Sequence, residues 1–411
     1  MMHSRLMQKG VTIYRPESVH IDESVNPERI ESNVTIHAGT RIRGKDTLIC
    51  SGSVIGAEAP ATIDNCWVGP KVSLKGGFFT KSVFLHGASV GSGAHVREGA
   101  IFEEYASAAH QVGLKQTILF PFVTLGSLIN FCDCLMAGGT GPKNHSEVGS
   151  SYIHFNFTPQ QDKATPSMLG DVPGGVMLNR EPIFLGGQGG LVGPARLAFG
   201  TVTAAGTICR SDELRENRLI FGGPAKSGNI AYHPDFFRNI KSIVLKNLYY
   251  IAGLTALIRW YGHVRTRFVS ENMPLPLMEG LTITLVGAAG ERISRLMAFV
   301  EKIGSAAEND QTSGTPAPDA FSSKRLQLYE NRDLLKELIL EDIEKQQGED
   351  RLREKFLDAV DRKLELYGKE DYVKVIQHLD AKDAQTGTAW LQGIVDEAMD
   401  RWLKIIPAFE P

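Results

Sequence analysis

LGGQGGLVGPARLAFGTVTAAGTI, residues 185–208, decides the architecture of this chain. Leu185, Leu191, Leu197 and Thr203 fall six apart, each followed by small residues. A period of six is neither the 3.6 of an α-helix nor the two of a plain alternating strand. A parallel β-helix accounts for it. Each hexad supplies a short strand and a corner, about three hexads close one coil, and the apolar residue of each hexad is buried against the coils above and below.

Working outward, the same frame recurs twice. Ile30, Ile36 and Ile42 keep the spacing, with Val34 and Thr40 four residues after the first two; Val90, Val96 and Phe102 keep it again, with the small residues Ala94 and Ala100. The register stumbles at 57–64 and 76–82, where Gly, Pro and Asn mark corners or short excursions. Larger interruptions, AGGTGPKNHSEV at 137–148 and TPQQDKATPS at 158–167, fall in a zone of insertion loops spanning about 137–182. Insertions in a repeat array map to loops on one face, often the binding face, so chemistry is expected there.

The composition changes beyond about Pro224, from Gly, Val, Ile and Thr to Leu, Glu, Lys and Arg. Of the 411 residues, 1–10 read as a loose lead-in and 11–232 as the repeat domain, with a boundary between Pro224 and His233. Residues 233–303 read as a first helical segment, 304–323 as a linker and 324–411 as a terminal helical bundle. Apolar stripes at helical spacing carry that reading: Phe236, Phe237, Ile240, Val244 and Leu248; Leu334, Leu335, Leu338, Ile339 and Ile343; Leu352, Phe356 and Val360. A last helix over 384–405 presents Trp390, Ile394, Ala398 and Trp402 on one side. The fold class is therefore mainly β plus α, a parallel β-helix followed by a C-terminal α-helical domain.

A formal net charge of -3 argues against nucleic-acid binding. The five cysteines, Cys50, Cys66, Cys132, Cys134 and Cys209, are an odd number without a secretory leader, which points to reduced thiols in a cytoplasm. The most apolar run, Leu248 to Ile258, is too short to span a bilayer. Cys132-Asp133-Cys134 with His145 and His154 has zinc-type ligands, but C-x-C is not the C-x-x-C knuckle and no metal is expected. Gly138 to Lys143 lacks the spacing of a P-loop. The segment Arg238 to Arg267 carries Arg238, Lys241, Lys246, Arg259, Arg265 and Arg267, which reads as a solvated basic face or as a contact for an anionic ligand or membrane surface.

From Val96 to Arg210 the chain resembles the left-handed β-helix domain of the bifunctional bacterial enzymes N-acetylglucosamine-1-phosphate uridyltransferase/glucosamine-1-phosphate acetyltransferase. The matching pieces are VREGA at 96–100, VGLK at 112–115, Asn156-Phe157 with Lys163 after it, LVGP at 191–194 and AAGT at 204–207. The resemblance implies a left-handed prism and a homotrimer with ligands between subunits. It implies that Arg97 and Lys115 hold a sugar phosphate, a guanidinium and an ammonium facing a dianion. Asn156, Phe157 and Lys163 would line the acceptor site, and Gly187, Ala204 and Ala205 the path of acetyl-CoA or another acyl-CoA. The family's general base is a histidine; aligned forward from Lys115 its position falls on Ser127, and aligned backward from Glu147 on Gly139. His145 and His154 are the substitutes available as catalytic base. The chain begins directly with repeats, so the uridylyl transfer of the family is not expected of it.

Two functions follow. One is acyl-CoA-dependent transfer to a sugar phosphate or nucleotide sugar. The other is a noncatalytic sugar-nucleotide-binding or scaffold trimer that has lost the base, its helical half a surface for a protein partner.

Overall fold

In the computed structural model, residues 2–159, 162–222, 228–229, 239–313 and 319–410 are described, without the side chains of 306–322. The boundary expected between Pro224 and His233 falls almost wholly outside them, as do Phe236, Phe237 and Arg238.

The hexads build a parallel β-solenoid with three faces. The first face is an 11-stranded sheet from Thr12–Ile13 to Leu219–Ile220, and the third an 8-stranded sheet from Leu48–Ile49 to Arg196–Leu197. The second begins as a 6-stranded sheet and continues through bridges at Asn130 into a 3-stranded one ending at Ile208–Cys209. Residues six apart walk round these faces: Leu185 lies on the first, Leu191 on the second, Leu197 on the third and Thr203 on the first again. All four are buried. Along the first face Ile36, Ile55, Leu74 and Val90 stack in register, each inside the coil. Stacked burial of this kind contributes about 1.5–3 kcal/mol per large apolar side chain, and it leaves every strand's hydrogen bonds to its two neighbours. This agrees with the left-handed β-helix expected from the resemblance.

The corner leading from the third face back to the first needs a left-handed residue in every coil. Asn33, Gly52, Lys71, Gly87, Tyr105 and Phe122 all have positive φ there, and the amide of each of Asn33, Gly52 and Tyr105 donates to the corner above. Asn and Gly meet this demand cheaply. Tyr105 and Phe122 meet it by stacking their rings, 5.6 Å apart and 5° from parallel. The stumbles at 57–64 and 76–82 become longer second-face strands, Ala61–Asp64 and Gly77–Thr80.

The helices are α1 (Met2–Gln8), α2 (Val172–Gly175), α3 (Ile240–His263), α4 (Leu275–Ser313), α5 (Asp319–Glu330), α6 (Arg332–Lys345), α7 (Asp350–Tyr367), α8 (Tyr372–Gln377) and α9 (Ala381–Leu403). The expected lead-in is thus a helix, α1, and its Leu6 is fully buried against the first coil. The expected linker is corrected too: 304–313 extend α4, α5 begins at Asp319, and 314–318 lie outside the described residues. Within 137–182 the chain forms a hairpin, Gly139–Gly141 with Asn144–His145, and the short helix α2.

Helix α4 lies across the third-face strands Trp67–Val68, Val83–Phe84 and Ile101–Phe102, and α3 across Ser167–Leu169. Every residue of those strands is therefore buried, whereas first-face strands bury one residue and present the other. Gly280 of α4 sits so close to Trp67 that a Cβ would meet the indole at 2.2 Å. The cations of α3 and the turn after it are consumed in this docking. Lys241 donates to Glu410 O, Lys246 pairs with Asp212 at 3.0 Å, and Arg259 donates to Gln346 O and Ile343 O. Arg265 pairs with Glu104 at 2.5 Å and Arg267 with Asp361 at 2.8 Å. Among the described residues neither a solvated basic face nor an anionic-surface contact describes this row; its charges stitch the helices to the solenoid and to one another.

Candidate functional site

Arg97 and Lys115 follow the registered pair Val96 and Leu114, so they sit above one another where the second face turns into the third. Arg97 is exposed and directs Nη2 toward Cys132 Sγ at 3.8 Å; Lys115 is half-buried, with Nζ 2.6 Å from Glu98 Oε1. One coil further, Asp133 N donates to Lys115 O, and Asp133 Oδ2 accepts from Asn156 Nδ2 at 2.7 Å. The coil register thus gathers Arg97, Lys115 and Asn156 at one corner. Phe157, 70% exposed, and the exposed Lys163 lie on the loop that follows. That loop is tied down by Thr165 Oγ1 donating to Asn156 O at 2.6 Å and by Asn247 Nδ2 donating to Ala164 O at 2.9 Å.

A groove of about 670 Å³ separates this corner from α4, lined by Lys45, Asn65, Lys81, Glu98 and Gln116 on the solenoid and by Thr284 and Glu291 on the helix. Lys45 and Lys81 form no ion pair among the described residues. Asp46, Glu98 and Glu291 line the same groove, so its charge is mixed rather than cationic.

The two histidines go elsewhere. His154 is the inward residue of Ile153–Phe155 and is 1% exposed. Its Nδ1 donates to Cys132 O at 2.6 Å, and its Nε2 accepts from Ser167 Oγ at 2.8 Å. Ser167 Oγ in turn accepts from Ala195 N at 3.0 Å, which fixes the direction of the chain of bonds. Burial pushes the imidazole down to about 4. With both nitrogens engaged in the dry core, His154 is a structural residue rather than a base facing a substrate. His145 stands on the hairpin at the corner between the third and first faces, its Nδ1 3.0 Å from Pro142 O and its Nε2 3.7 Å from Glu147 Oε2. That is a different edge of the prism from the one that carries Lys115.

Gly187, Ala204 and Ala205 occupy the remaining corner, where the first face turns into the second. Gly206 N donates to Gly187 O, Gln188 N to Ser150 O, Ser151 N to Ser127 O and Leu128 N to His110 O, so one edge carries His110, Ser127, Ser150, Gly187 and Ala205 in successive coils. His110 is exposed, and its Nδ1 lies 2.9 Å from Ser127 Oγ. The sequence reading missed it. Its only sequence signal is a separation from Ser127 of about one coil length.

Cys132 and Cys134 are buried thiols, both raised by burial, and among the described residues no group of three or more His, Cys, Asp or Glu side chains is placed to hold a metal ion. No described helix is long and apolar enough to cross a membrane.

Fold and corner chemistry define a hexapeptide-repeat protein in which a long parallel solenoid is joined to a helical region. No family model matches the chain. Its sequence is similar to the bifunctional protein GlmU of Thermotoga petrophila, 27% identical over 208 residues that cover 50% of this chain and 41% of the relative. The GlmU protein of Trichormus variabilis is 27% identical over 214 residues, 52% of this chain and 42% of the relative. That of a Cyanothece species is 30% identical over 151 residues, 37% of this chain and 31% of the relative. The chain spans less than half the length of these curated relatives. The solenoid and these homologues together bear out the resemblance carried by the hexads.

Proposed function

We propose that this chain is a transferase of the hexapeptide-repeat class working in sugar-nucleotide metabolism, moving an acyl group from acyl-CoA to the amine or hydroxyl of a sugar phosphate or nucleotide sugar. The GlmU homologues support the class. Arg97 and Lys115 would hold the phosphate, with Asn156, Phe157 and Lys163 beside the sugar. The acyl donor would run along the edge of Gly187, Ala204 and Ala205, where glycine and alanine let an extended chain approach the backbone.

One observation carries this reading: an exposed histidine, His110, stands on that small-residue edge, its Nδ1 held by Ser127 at 2.9 Å. With Nδ1 engaged, Nε2 is the nitrogen left to accept a proton from the attacking group as the nucleophile meets the thioester. The phosphate corner and the donor edge border the second face on opposite sides, so a site that uses both is assembled from two copies, in keeping with a homotrimer. A second reading, a noncatalytic sugar-nucleotide-binding scaffold, is favoured by the enclosure of His154.

Release of free CoA thiol from acetyl-CoA in the presence of glucosamine 1-phosphate separates the two. Turnover that drops about 10²–10⁴-fold in His110→Ala supports general-base transfer. A thermal shift with UDP-N-acetylglucosamine and no thiol release with any amino-sugar phosphate supports the scaffold.

A further inference from the structure

The helical region reaches the proposed acceptor corner through one chain of hydrogen bonds. Arg292 of α4, whose side chain is 3% exposed, places Nη2 2.8 Å from Asp133 Oδ1, and the other oxygen of Asp133 accepts from Asn156 Nδ2 at 2.7 Å. From α3, the fully buried Asn247 donates to Ala164 O at 2.9 Å, and the next residue, Thr165, donates through Oγ1 to Asn156 O at 2.6 Å. One helix thus fixes the Asn156 side chain, and the other steadies the segment that holds its carbonyl.

The direction of these bonds decides what Asn156 offers a guest. A guanidinium only donates and the carboxylate paired with it only accepts, so the end of the Asn156 amide turned toward Asp133 has to be its NH2 group. The terminal torsion of an asparagine is broad and roughly two-fold, and an unanchored amide would turn either end outward. Held in this way, Asn156 keeps Oδ1 on the side away from Asp133, where it accepts no hydrogen bond among the described residues. Arg292 and Asp133 are buried, whereas Asn156 is half-buried, so its amide stands between the enclosed ion pair and the open corner.

We propose that Arg292 is a positioning residue of the acceptor site: through Asp133 it turns the Asn156 oxygen toward the sugar, so that the site selects a sugar phosphate that donates a hydrogen bond there from an amine or a hydroxyl. The proposal rests on the reading that Arg97 and Lys115 hold the phosphate, and it gives α4 a part in recognising the acceptor. Neither Arg292 nor Asp133 touches the guest; both act through Asn156. A guest with no donor at that point is penalised, because the Asn156 oxygen is then desolvated without a partner.

The test inverts Asn156 while leaving its size unchanged. In Asp133→Asn the new amide must give its oxygen to Arg292, which can only donate, and therefore turns its NH2 toward Asn156; Asn156 has to accept with Oδ1 and presents its own NH2 to the corner. Titration calorimetry on the full chain uses glucosamine 1-phosphate and inorganic phosphate as probes. Glucosamine 1-phosphate is expected to bind about fivefold more weakly, by loss of one hydrogen bond. Inorganic phosphate is expected to bind no more weakly than to the wild type, since the change removes a negative charge near it. In an Asn156→Ala background the same change is expected to have no further effect on glucosamine 1-phosphate. Should Asp133→Asn not fold, Arg292→Leu with Asp133→Leu replaces it, a pair that leaves the Asn156 amide without its anchor. Equal weakening of both probes, an unchanged affinity for glucosamine 1-phosphate, or a loss that persists in the Asn156→Ala background overturns the positioning role alone. Binding indifferent to Arg97→Ala, or no binding of either probe to the wild type, overturns the phosphate reading and the positioning role with it.

Discussion

Arg292 of α4 places Nη2 2.8 Å from Asp133 Oδ1, with 3% and 6% of the two side chains exposed. Asp133 hangs by its amide from Lys115 O and accepts from Asn156 on its other oxygen, so this one ion pair couples α4 to the corner proposed to hold phosphate. Removing one partner of a buried pair strands the other charge in a dry interface. Arg292→Ala is expected to cost about 3–5 kcal/mol in urea unfolding, and Arg292→Leu combined with Asp133→Leu much less than the sum of the single changes. A cost below about 1 kcal/mol in the single variant would show that this contact does not anchor the helix.

How far such contacts could be read from the sequence depends on what sets them. Ile36, Ile42, Val90, Val96 and Leu185 were legible because an inward apolar residue every six positions is a local rule, and all of them are buried. The α9 stripe of Trp390, Ile394, Ala398 and Trp402 was legible for the same reason. The docking of α4 left a signal in the apolar doublets Trp67-Val68, Val83-Phe84 and Ile101-Phe102, since a solvent-facing strand has no need of a second large side chain. Counting one apolar residue per hexad passed over it. The pairs Glu98 with Lys115, Ser127 with His110 and Glu104 with Arg265 depend on coil register or on a contact between distant segments, and residue type alone carries neither. His154 looked like a base because the hexad frame blurs across the insertion, which hid that it points inward.

His154 also sets a pH dependence. Burial holds its pKa down to about 4 against an ordinary 6.5. Between those values the unfolded chain binds a proton that the folded chain refuses, so the contribution is complete above about pH 6.5 and is lost as pH falls toward 4. Its size is about 3 kcal/mol. Glu103, pushed up to about 7 by burial beside Tyr261, works in the opposite direction, losing stability as pH rises toward 7. Comparison with His154→Gln isolates the histidine. The stability advantage of the wild type over this variant in urea unfolding is expected to shrink by about 3 kcal/mol from pH 7 to pH 4. An advantage that does not change with pH would place His154 in contact with solvent.

At the corner proposed to hold phosphate, Lys115 is already paired with Glu98 at 2.6 Å, whereas the exposed Arg97 side chain engages, among the described residues, only the Cys132 thiol. On the proposed reading, a sugar phosphate would have to draw Lys115 away from Glu98 but would find Arg97 open. Arg97→Ala is expected to weaken glucosamine 1-phosphate binding about tenfold or more, and Glu98→Gln to strengthen it by releasing Lys115. Titration calorimetry at low salt reads both. Equal affinities in wild type and Arg97→Ala would remove the phosphate from this corner.

The last coils differ from the first on the two faces that the helices leave bare. Early first-face strands present Thr35, Val54, Ser73, Ser89 and Ser107, of which Val54 alone is apolar and is half-buried, while the late ones present Phe184, Val202 and Leu219 in register, 41%, 37% and 61% exposed. On the second face Ile153 and Ile208 are likewise exposed, 42% and 39%. An apolar column confined to one end of a solenoid is what a closed ring of copies would cover, since a cyclic trimer buries two different faces of every subunit. The third face, already occupied by α3 and α4, is not available for it. If the 45.0 kDa chain assembles as the proposed trimer, Leu219→Lys together with Val202→Lys is expected to convert it into monomers in sedimentation velocity, while Ser73→Lys on an early coil leaves the assembly intact. Because the proposed donor edge and phosphate corner flank the second face of one chain, the same double variant is expected to lose the proposed acyl transfer while its far-ultraviolet circular dichroism stays that of the wild type. A wild-type chain that sediments as a monomer at all concentrations would exclude a shared site.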